Sequence, residues 1–266
     1  MDSAFLGSYL FLGISFVLSI FCAIGGLWFV RRNVSRELLM NHHDVAAAML
    51  SIIGTLYAVV LGLVVVGSLT KFEQARGVVG REAASLRDVF TLSSGLPKPV
   101  ARQIHQLCID YSMTVLGEEW LLMEAGEHSA KADKILEALI SAVVTFKPSS
   151  SGESNIQSSL FNEANDLDDS RCFRTMLASP AFDPIVWSVL ITGGIVLVIF
   201  TYFFGVENFR MQILMTSLVT VVLALNMVLV AMFAYPFSGD VHVKPIPFQT
   251  DLTFFEQVQA QETTAP

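Results

Sequence analysis

Apolar residues fall into four long blocks, Phe5 to Val30, Val45 to Thr70, Ile185 to Gly205 and Met211 to Tyr235, separated by polar stretches. A bilayer core of about 30 Å takes roughly 20 predominantly apolar residues in one helix, and each block supplies that length. None has a Lys, Arg, Asp, Glu or His in its interior. The pattern predicts an all-α, polytopic membrane protein with four transmembrane helices in two hairpins. A polar link carrying Arg31, Arg32, Arg36, Glu37, His42, His43 and Asp44 joins the first pair, and a tight turn with Glu207, Asn208 and Arg210 joins the second. Met1-Asp2-Ser3 brings no basic residue ahead of the first block, which also outruns a signal-peptide core, so a retained helix is expected.

Residues 71–182 between the hairpins keep a helical period. Phe72, Ala75, Val79, Ala83, Leu86 and Phe90 recur at helical spacing among charged residues with no proline until Pro97. The second span is therefore expected to run on as one helix to Gly95-Leu96-Pro97. Further helices are predicted over Val100 to Ala125 (Gly126 its cap), Ser129 to Phe146 and Asn155 to Leu177, with a Ser/Gly linker at Ser149 to Ser154. They make a helical-bundle domain inserted between the second and third spans and lying outside the membrane. The tail over 236–266, with Pro236, Pro245 and Pro247 and a Gln/Glu/Thr-rich end, reads as extended and then disordered.

Composition narrows the classes. Of 266 residues 53% are hydrophobic and only 15% charged, and the mean hydropathy is +0.58, outside the soluble range. The net charge of −8 argues against nucleic acid, which requires a clustered basic surface. Charge-free spans disfavour an ion-coupled transporter, which keeps ionisable groups at membrane depth; a channel can work with hydroxyl groups and hydrophobic constrictions. Cys22 lies in the first apolar block, while Cys108 and Cys172 are free to pair or not.

Small residues line one face of the second span: Ala47, Ser51, Gly54, Ala58 and Gly62. Such a face either packs closely on another helix or leaves room for ions along a pore. Ser15, Ser19, Ala23 and Gly26 make a similar face on the first span, read as packing. Thr216, Thr220 and Asn226 are intramembrane polar groups of the fourth span, serving as interhelical bonds or as permeation contacts. His42-His43-Asp44 lacks the i, i+4 geometry of a helical metal site, and Asp166, Asp168 and Asp169 lack the glycine and terminal glutamate of a calcium loop. No metal, cofactor or enzymatic activity is expected; Gly-x-Ser-x-Gly and phosphate loops are absent from the sequence.

Several landmarks occur in a fixed order: Tyr57-x3-Leu61-Gly62, Glu82-Ala83, Leu96-Pro97, Glu119-Trp120 with Met123 and Gly126, Trp187, and Pro236-Phe237-Ser238-Gly239. Together, over Ala46 to Phe248, they resemble the bestrophin-like family of bacterial and plant membrane proteins. The resemblance implies a comparison with bestrophins, pentameric anion channels whose second span lines the pore and whose helical domain is cytoplasmic. It would put Ser51, Gly54, Tyr57, Ala58, Leu61, Gly62 and Val65 at the pore. It also marks Glu82, Glu119, Trp120, Pro236, Phe237 and Gly239 as family positions. The acidic run that follows Pro-Phe-Gly in animal bestrophins is reduced here to Asp240, and Ala234 stands where an acid or amide is expected, so calcium gating does not carry over.

Orientation draws two opposed arguments. Arg31, Arg32, Arg36 and Arg210 in the short loops place those loops in the cytoplasm by the positive-inside rule. The resemblance, with Lys71, Arg76, Arg81 and Arg87 just past the second span, places the domain there instead, and this is the expectation adopted. The expected function is a homo-oligomeric ion channel, anion-permeable, in a bacterial plasma membrane, with the lipid bilayer and inorganic ions as partners. The alternative is a non-conducting scaffold or sensor signalling through the helical domain.

Overall fold

The structure, a computed structural model, describes residues 9–34, 43–204, 206 and 208–264, with the side chains of 43–46 and 262–264 left aside. The described elements are all helical. They are α1 (Tyr9–Asn33), α2 (His43–Ser93), α3 (Lys98–Thr114), a π-helical turn (Val115–Glu119), α4 (Trp120–Glu124), α5 (Ala130–Thr145), α6 (Ser151–Leu177), α7 (Pro184–Tyr202), α8 (Phe209–Phe233) and α9 (Ile246–Thr264). Four of these helices, α1, α2, α7 and α8, are long and apolar enough to cross a membrane. The 51 residues of α2 make a helix about 77 Å long, far more than one span requires.

The chain divides into two compact units. One comprises Met1–Lys71, Pro180–Tyr235 and Gly239–Val241; the other comprises Phe72–Ser179, Pro236–Ser238 and His242–Pro266. The link carrying His42-His43-Asp44, and Glu207 of the second turn, lie outside the described residues or side chains.

The first unit is held by two contacts of one kind. Tyr57 of α2 lies over Gly193 of α7 and donates its hydroxyl to the Leu190 carbonyl at 2.8 Å. Tyr202 of α7 lies over Gly26 of α1 and donates to the Ala23 carbonyl at 2.8 Å. In both pairs the ring fills the notch left by a missing side chain, and the hydroxyl reaches the carbonyl three residues before the glycine. Such hydroxyls need a partner in hydrocarbon, which the carbonyl provides. A Cβ on Gly193 would sit 2.5 Å from the Tyr57 ring, whereas one on Gly25 would meet nothing within 4 Å. Gly193→Ala should therefore cost about 1–3 kcal/mol by overpacking. Thermal unfolding in detergent beside Gly25→Ala checks this; equal melting temperatures for the two variants would refute it.

Further bonds close the unit. Gln212 of α8 donates to the carbonyls of Tyr202 at 3.3 Å and Phe204 at 2.8 Å, capping the orphan end of α7. Thr201 and Thr216 hydroxyls meet across α7 and α8 at 3.1 Å. Arg31 donates to the Val206 carbonyl, and Asn208 caps α8 by accepting from the Arg210 amide at 3.0 Å.

The second unit has one large core, to which α2, α3, α5, α6 and α9 all contribute. Ser129 caps α5 and Ser150 caps α6, so the expected Ser149–Ser154 linker is shorter: Ser151 to Ser154 are already helical because Ser150 accepts from Glu153. The expected extended tail is also corrected. Ile246–Thr264 is the helix α9, and Phe248 and Phe255 are fully buried. Pro245 and Pro247 flank its first residue, where proline's missing N–H costs nothing. Phe248, Leu252, Phe255 and Val258 form the stripe that docks it. Phe255 stacks on Phe90 with centroids 4.3 Å apart, and Asp251 pairs with Arg87 at 3.1 Å. Gly126 ends α4 with φ +77°, and the Glu127 amide reaches back to Leu122 at 3.0 Å, the left-handed cap that glycine favours.

Candidate functional site

Two arrangements stand out, one in each unit. In the first unit the residues proposed for a pore divide by face. Tyr57 and Leu61 are buried, packing with Leu190 and Leu197 of α7. Ser51, Ala58 and Gly62 are exposed on a flank of α2 about 100° round from that face, with Gly54 and Val65 between. At 100° per residue Ser51, Thr55, Ala58 and Gly62 fall within one narrow stripe. Beside it runs a second exposed stripe of large apolar residues, Ile52, Leu56, Val59, Leu63 and Val66. The hydroxyl of Thr55 donates to the Ser51 carbonyl at 2.7 Å, within the same helix. A Cβ at Gly62 would meet nothing within 4 Å.

The intramembrane polar residues of α8 differ in their bonding. Thr216 joins α7 through Thr201, and Thr220 donates to the Thr216 carbonyl. Asn226, read from sequence as interhelical glue or a permeation contact, donates to the Val222 carbonyl of its own helix at 2.8 Å. A short side chain can satisfy itself on the preceding turn in this way, and no cross-helix bond to Asn226 occurs among the described residues.

In the second unit four charged side chains form a buried lattice. Glu82 of α2, Glu119 of the π-helical turn and Arg174 of α6 are wholly buried, and Arg171 of α6 nearly so. Arg174 grips Glu82 through Nε at 2.5 Å and Nη2 at 2.9 Å, and Nη2 also reaches Glu119 at 2.7 Å. Arg171 donates to Glu119 at 2.8 Å and to Asp133 of α5. The Tyr111 hydroxyl donates to Glu82 at 2.6 Å. The π-helical turn inserts one extra residue into the run from α3 to α4, which turns Glu119 and Trp120 toward this lattice. Two carboxylates face two guanidinium groups, so the buried charge balances, and each oxygen is hydrogen-bonded as low dielectric demands.

Aromatic rings close the lattice on one side. Arg174 lies 5.6 Å from the Trp120 ring centroid and 5.9 Å from that of Phe248. Phe237 meets Trp120 edge-on with centroids 5.6 Å apart. The Val243 amide bonds the Pro236 carbonyl at 2.8 Å, and Gly239 turns with φ +80°, a conformation few other residues adopt. Glu82, Glu119, Trp120, Pro236 and Phe237 thus belong to one neighbourhood. Arg171, Arg174 and Tyr111, which complete it, were not singled out from sequence.

Burial works against charge on both arginines, and the carboxylates more than reverse it. Burial pushes the Cys108 thiol well above its ordinary 9.0. Burial and then the charge of Glu82 push the Tyr111 hydroxyl well above 10.0, against the opposing arginines. Both folded values exceed the unfolded ones, so the unfolded chain ionises first as pH rises. The associated stability is complete below pH 9 and is lost above it, first through Cys108 and then through Tyr111, at up to about 1.4 kcal/mol per pH unit for each group. Cys108→Ala should flatten the fall in melting temperature between about pH 9 and 10; a slope equal to that of the unmodified chain would refute this origin.

All three cysteines are unpaired, with Cys108 buried and Cys172 exposed. Asp166, Asp168 and Asp169 lie on the exposed face of α6. Among the described residues no group of three or more His, Cys, Asp or Glu is placed to hold a metal.

Four apolar helices, a long α2 and a helical unit with a charged heart define a multi-pass, all-helical membrane protein. The sequence pattern of the bestrophin-like domain matches residues 17–248, and the chain belongs to the bestrophin-like family. A bestrophin homologue from Klebsiella pneumoniae is similar in fold at 15% identity and a TM-score of 0.64, covering 93% of this chain and 96% of that one. A single-substitution variant of it gives 14% identity and a TM-score of 0.64, covering 96% and 99%. Another solved membrane protein variant gives 16% identity and a TM-score of 0.63, covering 96% and 98%. No curated protein matches the chain.

Proposed function

We propose that the chain is one subunit of an oligomeric, anion-permeable ion channel whose pore is lined by the small-residue stripe of α2. The observation that carries this reading is the pair of exposed stripes on that helix. In a ring of subunits, the stripe of Ser51, Ala58 and Gly62 faces the lumen, while the large apolar stripe beginning at Ile52 packs against a neighbour. Gly54 and Val65 border the lumen, and Tyr57 and Leu61 act from behind as packing residues. Membership of the bestrophin-like family supports channel function, and a pentamer is the assembly that analogy favours. In this reading the helical unit lies in the cytoplasm and the spans cross a bacterial plasma membrane.

The test is current across a planar bilayer holding the purified protein under a potassium chloride gradient. A reversal potential near the chloride equilibrium value is expected. Absence of current from a folded, monodisperse oligomer would overturn the channel reading. It would favour the second reading, a non-conducting scaffold or sensor, which draws its support from the length of α2 beyond its apolar stretch.

A further inference from the structure

The second unit carries a cleft of about 380 Å³ between the start of the polar part of α2 and the segment leading into α9. Arg76 and Lys244 supply its cationic side, with His242 beside them, and Phe72, Val79 and Ile246 its apolar side. No acidic residue lines it. Neither Arg76 nor Lys244 has an ion-pair partner among the described residues. The chain is acidic overall, with a net charge of −8, so two cationic side chains around one cleft, with no acid beside them, run against its composition.

Position along α2 identifies the ligand class. Thr70 is the last residue of the apolar stretch, and Arg76 follows six residues later on the same unbroken helix, about 9 Å along its axis. Side chains on a helix lean toward its N-terminus, which here is the direction of the apolar stretch. The guanidinium therefore reaches back into the headgroup layer, about 5–7 Å deep outside the hydrocarbon core. The cleft also exceeds what an inorganic anion fills, and its apolar wall suits the glycerol and first acyl carbons of a lipid. We infer that this cleft binds the headgroup of an anionic phospholipid, with Arg76 and Lys244 on the phosphate and Phe72, Val79 and Ile246 against the glycerol backbone. The inference rests on the membrane placement of α2 and is independent of ion conduction.

The experiment titrates the full chain in detergent with short-chain phosphatidylglycerol, with the matching phosphatidylcholine and with inorganic phosphate, read by native mass spectrometry. Wild type should prefer phosphatidylglycerol, and the preference should weaken as potassium chloride screens it. Each basic residue near an anionic headgroup contributes about fivefold, so Arg76→Gln with Lys244→Gln should weaken phosphatidylglycerol about thirtyfold. Lys134→Gln on α5, remote in sequence from the cleft, should leave it unchanged. Equal binding of the two lipids by wild type, or retention of phosphatidylglycerol by the double variant, would overturn the inference. Displacement of the lipid by inorganic phosphate at equal concentration would also overturn it, reassigning the cleft to a free anion. The salt arm needs no variant, so a misfolded double variant leaves the test intact.

Discussion

Replacing Arg174 by methionine is expected to lower the stability of the helical unit by about 3–5 kcal/mol, because it strands buried carboxylates. Arg174 alone covers one oxygen of Glu82 and one of Glu119. Tyr111 and Arg171 reach only the other two. Methionine keeps the volume and the contact with Trp120 and Phe248, so the loss reports charge rather than a cavity. Adding Glu82→Gln should recover most of it, since removing one charge of each sign leaves the Glu119–Arg171 pair intact. Thermal unfolding of the single and double variants in detergent decides the matter. A single-variant loss under about 1 kcal/mol, the level of an exposed pair, would show that the lattice is not insulated from water.

Gly62→Leu is expected to abolish most of the current while leaving the oligomer intact. Gly62 is exposed and a Cβ there would meet nothing within 4 Å, so packing within the subunit has no reason to suffer. In the lumen, four added carbons per subunit both narrow the path and strip water from a permeating ion. A barrier raised by only about 1.4 kcal/mol is already a tenfold loss of rate. The measurements are single-channel current and mass by light scattering. Loss of assembly together with current would assign the stripe to subunit packing, and unchanged current would remove Gly62 from the lumen.

Much of the architecture was legible because membrane spans need long apolar runs and bundle helices need periodic ones. Those two patterns gave the four spans and the continuation of α2 past Lys71. The tail misled because its prolines and polar residues outweighed Phe248 and Phe255, whose spacing with Leu252 is the signal that was available. The lattice was half legible. Glu82 and Glu119 were marked by family resemblance, while Arg171 and Arg174 belong to no motif. Yet Leu160, Ala164 and Leu167 continue at helical spacing onto Arg171 and Arg174, so two arginines occupy core positions. The rotation of α2 was not legible, because Tyr57 finds its partner in a glycine far away in sequence.

The two tyrosine notches have a bearing on that rotation. Tyr57 enters α7 at Gly193 and Gly194, the two glycines of that helix, where no side chain excludes the ring. A turn of α2 by one residue, 100° about its axis, would withdraw the ring and its hydroxyl together. The notch on the hidden side of the helix is thus an index pin for the side that faces away. Which residues meet the outside of the subunit is decided by a glycine they never touch.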